Sequence, residues 1–160
     1  MGRQGCRWIC WRVEIAMTAS WKIGLIAIIA IPYAMSYEEW LESSILELRR
    51  AEERLRHGEY AYACFHAERA VQFSLKALLP RHGNFLRVHD LRRLYERARR
   101  YGFSVEVGER ELRELTIRYA ASRYPDARRR YGVTYDEPTA RRALETAKRV
   151  VSGVVKWLRS

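Results

Sequence analysis

The stretch RYAASRYPDARRRYG, Arg118 to Gly132, crowds five arginines and three tyrosines around one Tyr-Pro-Asp break. A guanidinium is a planar fork that can give a phosphate two parallel hydrogen bonds. Tyrosine rings can stack on bases, so the two residue types together suit single-stranded RNA or a nucleotide. If a helix runs to Ser122, Arg118 and Ser122 share a face at i, i+4, with Arg123 beside them. Pro125 pushes Tyr124 out of the helical region, which bends the chain and leaves Asp126 to cap the next segment. Arg128, Arg129 and Arg130 form a charge run of the kind that is usually solvated. Arg118, Tyr119, Arg123, Tyr124 and Asp126 are therefore the candidate binding residues, Arg118 and Arg123 foremost. The competing reading makes the whole stretch a structural kink.

Proton-transfer chemistry has fewer candidates. The four histidines are His57, His66, His82 and His89, and no two stand at i, i+4, which argues against a helical metal site. No glycine-rich phosphate loop, G-x-S-x-G or H-E-x-x-H is present. His66 lies in FHAERAVQFSLKALL, Phe65 to Leu79, an apolar helical stretch; it can face a ligand or simply be hydrogen-bonded at the edge of a core. Lys76, near the end of the same stretch, suits a helix C-terminus and is a further binding candidate. His89 precedes Asp90 in VHDL, where an acidic residue opens a helix favourably. Arg50 and His57 have six residues between them, a spacing best put down to chance. The three cysteines form no C-x-x-C pair, so neither a disulfide framework nor a zinc site is expected. Cys64 reads as a small buried hydrophobe. A reducing cytoplasm is the expected compartment, and no cofactor is expected.

The elements that must position these residues are helical. A chain of 160 residues can bury one full core. Residues 1–34 differ from the rest: tryptophans and cysteines cluster there, and they end in IGLIAIIAIPYA, too short to span a bilayer. This leader is expected to be disordered or to precede the true start at Met35; an export or membrane-associating segment is the competing reading. It carries four basic residues and one acidic, so taking its net three charges from +11 leaves +8 on residues 35–160. A polyanion is the partner such a balance favours. From Ser36 the apolar spacing predicts five helices and no strand. These run from about Tyr37 to Arg56, Glu59 to Leu79 (stopped by Pro80), Val88 to Gly102, Gly108 to Ser122, and Asp136 to the end. Ser36 and Glu39 are spaced as a capping box, and Gly102 is a candidate C-cap. The second helix is apolar on more than one side and should lie at the centre. The fold class is all-α, an up-and-down bundle of four to five helices.

GEYAYACFHAERAVQFSLKALL, then HDLRRL, then RYPDA and a last apolar helix resemble the HEPN domain family, over Tyr37 to Leu158. The resemblance implies a small helical bundle, usually dimeric, often beside a minimal nucleotidyltransferase in prokaryotic toxin–antitoxin pairs. Many members are metal-independent ribonucleases. Where the family often shows Gln-Gln and then Glu-Lys in the second helix, this chain has Glu68, Arg69, Gln72 and Phe73. Ribonuclease members carry an arginine followed four to six residues later by a histidine in a late helix, and here no histidine follows His89. Tyr119 and Tyr124 are poor substitutes for it, given the high intrinsic pKa of a phenol. The expected function is a binding module for RNA, a nucleotide or a nucleotidyltransferase partner. The alternative is an RNA-cleaving toxin in which His66 or His89 meets Arg118 or Arg123.

Overall fold

Ser36 starts the first helix as its sequence predicts. Its hydroxyl accepts from the Glu39 amide at 3.2 Å, and Glu39 Oε2 accepts from the Ser36 amide at 2.7 Å. Two amides that no helical carbonyl could reach are thereby satisfied. The computed structural model describes residues 35–81 and 88–160; the leader and the loop holding His82 lie outside the described residues. The helices are α1 (Tyr37–Arg56), α2 (Tyr60–Arg81), α3 (Leu91–Arg99), α4 (Glu109–Arg123), α5 (Pro125–Tyr131) and α6 (Glu137–Arg159). No strand occurs among the described residues.

Three local expectations change. The Tyr-Pro break is the start of a helix of its own: Tyr124 is extended (φ −123°, ψ 114°) and closes α4 while opening α5. Pro125 takes the first helical position, where a missing amide hydrogen costs nothing. Asp126 is consequently not a cap. It sits inside the first turn of α5, where its carboxylate is favourable to the helix dipole. The cap of α3 is Arg100, and Gly102 comes after it at φ 87°, a conformation that favours glycine. Finally, α2 continues one residue past Pro80 before ending.

The second helix is central, packing against α1, α3, α4 and α6. Along one side it supplies Ala63, Ala67, Val71, Leu75 and Leu78, all buried. Small residues let α1 come close enough for Ser44 to donate to the Ala70 carbonyl at 2.8 Å. Ala140, Leu144, Ala147, Val151 and Val154 of α6 close the core. Each fully buried leucine or valine side chain adds about 1.5–3 kcal/mol. Cys64 lies in this core, and burial pushes its thiol up to about 11, which leaves it neutral and unreactive. Among the described residues no helix is long and apolar enough to cross a membrane.

Candidate functional site

On its other side α2 carries a different set of residues at helical spacing: Phe65, Arg69, Gln72, Phe73 and Lys76. The half-buried ring of Phe65 is the meeting point. Tyr119 of α4 stacks on it, centroids 5.4 Å apart and planes 13° from parallel. The guanidinium carbons of Arg123 and Arg69 lie 5.7 and 5.6 Å from its centroid, within cation–π range. His66 meets it edge-on at 5.0 Å. Arg69 also stands 4.7 Å from the Phe73 ring, which contacts Trp40 of α1 at 5.2 Å. The result is an aromatic seam with two arginines on it.

A buried carboxylate anchors one edge. Glu47 of α1, 4% exposed, accepts from Arg50 Nη1 at 2.8 Å and from His66 Nδ1 at 2.6 Å, with Arg69 Nε at 3.5 Å. Burial alone would raise its pKa. The hydrogen bond from His66 and the charges of Arg69, His66 and Arg50 outweigh that and hold the carboxyl below its usual range. Arg69 is thereby fixed beside Phe65. Arg123 differs, because it is exposed and no carboxylate pairs with it among the described residues.

Deeper along the same flank, Glu68, Gln72 and Lys76 occupy successive turns and are all buried. Gln72 Nε2 donates to Glu68 Oε1 at 3.4 Å and approaches His89 Nδ1 at 3.0 Å. Lys76 Nζ donates to Gln72 Oε1 at 3.4 Å and lies 5.2 Å from the Trp40 ring centroid. Burial raises the Glu68 carboxyl to about 8 against the opposing pull of Arg69, Lys76 and Gln72. Burial lowers the Lys76 ammonium, Glu68 opposing it and Arg69 adding to it. Lys76, read from the sequence as a cation suited to the helix C-terminus and open to a ligand, is instead buried. It is a buried donor within a polar seam.

The structure separates the two foremost arginines. Five residues turn a helix through about 140° beyond a full circle, so Arg118 and Arg123 cannot share a flank. Arg118 Nη1 donates to the Thr134 carbonyl at 3.1 Å, and its own carbonyl accepts from Tyr135 Oη at 2.7 Å. It lines a cavity of about 70 Å³ between α4 and α6, with Glu111, Thr139, Arg142 and Thr146. Tyr119 and Arg123, at i, i+4, stay together on Phe65. Tyr124 is 57% exposed and Asp126 is exposed, both at the α4–α5 junction. Arg50 and His57 part company: Arg50 pairs with Glu47, and His57 caps α1. Among the described residues no cluster of His, Cys, Asp or Glu could hold a metal ion. Sequence reasoning missed Glu47, Phe65 and Arg69. The available signal was Glu68, Gln72 and Lys76, polar residues at four-residue spacing within an apolar helix.

The comparisons agree with this architecture. The HEPN domain profile matches residues 37–157. The protein TT1696 from Thermus thermophilus superposes with a TM-score of 0.62 at 29% identity, over 75% of this chain and 96% of that one. An archaeal HEPN homologue, ST0689, gives 0.56 at 20% identity, over 77% and 98%. A HEPN domain protein of Thermotoga maritima gives 0.56 at 20% identity, over 75% and 97%; these last two bear on fold alone. No protein of curated function matches the chain significantly. With the profile running from the start of α1 into the last turn of α6, over most of the chain, the chain belongs to the HEPN domain family.

Proposed function

We propose that this HEPN domain binds single-stranded RNA or a nucleotide on the aromatic seam, with Arg123 as the principal phosphate contact. The observation that carries the proposal is the arrangement around Phe65: a stacked tyrosine and two guanidiniums on one half-exposed ring. Aromatic faces accept any base, and arginine gives phosphate a bidentate partner. Arg69, neutralised by Glu47, stiffens the face, while Arg123 supplies charge to the ligand. The +11 chain adds long-range attraction. Pairing with a second copy and with a minimal nucleotidyltransferase belongs to the same reading; sedimentation and co-purification with the neighbouring gene product test these partners.

One observation favours a second reading, metal-independent RNA cleavage. Glu47 holds His66 Nδ1, which leaves Nε2 as the basic nitrogen, and Phe65 is touched by both His66 and Arg123. A carboxylate that orients an imidazole is a recurring preparation of a general base. Labelled RNA run on paired native and denaturing gels separates the two readings. A shift without shortening, weakened by Arg123→Ala, is the expected result. Shortened RNA that disappears with His66→Ala supports cleavage, and neither shift nor shortening overturns both.

A further inference from the structure

Of the three histidines among the described residues, His89 is held by the least ordinary partner. Its Nδ1 lies 3.0 Å from the amide nitrogen of Gln72. An amide nitrogen can only donate, so Nδ1 must accept, and the ring proton resides on Nε2. The amide orientation is set by its other neighbours. Lys76 carries only donors and faces Gln72 Oε1, while Glu68 Oε1 accepts the second amide hydrogen. Turning the amide over would set its NH2 against the Lys76 ammonium. Gln72 is 3% and Lys76 6% exposed, so neither can readily swing away to water.

His89 itself is exposed and immediately precedes α3, where Asp90 caps the helix and pairs with Arg92. The charged groups acting on it from α2 are Lys76 and Arg69; from its own segment the adjacent carboxylate is Asp90, already paired. No described residue bonds Nε2. Partial desolvation, followed by the Lys76 and Arg69 charges, lowers the imidazole pKa, which favours the uncharged ring.

We propose that His89, locked as its Nε2–H tautomer by Gln72, is a specificity-determining donor that hydrogen-bonds a carbonyl oxygen on an RNA base edge. The proposal rests on the RNA-binding reading given above and adds base discrimination to it. A neutral N–H can donate to a phosphate or to a base carbonyl; the base carbonyl is chosen because only there does a fixed tautomer discriminate among ligands, and the salt slope below separates the two. Phosphate contacts position a nucleic acid, while neutral contacts at base edges discriminate among bases. Uracil offers carbonyl oxygens and adenine offers none.

The test combines two readouts on the full chain. Long-range nitrogen–proton NMR correlations report the His89 tautomer at neutral pH, in the wild type and in Gln72→Leu. Fluorescence titration then compares short oligouridylate with oligoadenylate across a salt series. Expected are a neutral Nε2–H ring that loses its fixed tautomer in Gln72→Leu, and a uridylate preference of about two- to ten-fold, the range of one neutral hydrogen bond. His89→Phe should abolish that preference without changing the salt slope, and His89→Asn, which keeps a neutral N–H, should restore part of it. A protonated or Nδ1–H ring overturns the proposal. So does a preference that survives His89→Phe, or a salt slope that falls with that variant, which would indicate phosphate. If the wild type binds neither oligonucleotide, the RNA-binding reading fails and base recognition with it; the NMR result still shows separately whether the tautomer lock exists.

Discussion

Arg118 and Arg123 are the same residue on the same helix, yet the fold uses them in opposite ways. Arg118 is drawn inward to the Thr134 carbonyl and ties α4 to the segment before α6. Arg123 lies over Phe65, exposed and without a carboxylate partner among the described residues. The same division runs along α2. One flank is alanine, valine and leucine sealed against the other helices; the other carries phenylalanines, an arginine and a buried polar seam. What separates the structural residues from the proposed binding residues here is the angular position around a helix, since residue type is shared by both.

The largest effect that sharpens this comparison contrasts Leu75 with Phe65. Leu75→Ala removes a fully buried side chain and should cost about 2–5 kcal/mol in urea unfolding, while RNA affinity of the folded protein holds. Phe65→Ala should do the reverse, losing about ten-fold or more in RNA affinity as the stacking platform goes, with a smaller stability cost for a half-buried ring.

Next is the polar seam. Because burial raises the Glu68 carboxyl to about 8 from an ordinary value of 4.5, the folded state holds a proton that the unfolded state releases between those values. The seam is thus least costly below the ordinary carboxylate range, and stability falls as pH rises through about 8. The loss is on the order of a few kcal/mol. Urea midpoints measured across that range should decline for the wild type and stay flat for Glu68→Gln. An equal decline in both would remove Glu68 from the account.

Smaller effects separate the ends of α4. Tyr135→Phe removes one hydrogen bond to the Arg118 carbonyl and should cost about 1 kcal/mol, read as a drop of a few degrees in Tm. Asp126→Asn, on the exposed first turn of α5, should cost only a few tenths of a kcal/mol. A large loss of RNA affinity from Asp126→Asn would move the binding face from Phe65 to the α4–α5 junction.

Much of this fold was legible from periodicity and punctuation. Ser36 with Glu39, a last helix opening at Asp136, and the central apolar α2 are local signals that tertiary packing did not override. The candidate site was legible only in part. Arg123 and Tyr119 were identifiable by type, and their shared face comes from i, i+4 spacing. Glu47 and Phe65 were not, because their meaning depends on contacts between α1, α2 and α4 that no single helix reveals. Lys76 shows the limit most clearly: its place near a helix end suggested a cation set against the helix dipole, whereas it is buried beside Trp40 of α1.

The central claim is that the two arginines differ in kind, and one experiment addresses it directly: RNA titrations of Arg123→Ala and Arg118→Ala across a salt series, beside their thermal unfolding. Arg123→Ala should weaken binding about ten-fold and reduce the salt slope by about one released counterion, with Tm unchanged. Arg118→Ala should lower Tm and leave the affinity and slope of the folded protein intact. Equal losses of affinity from both variants, or a loss confined to Arg118→Ala, would contradict the account.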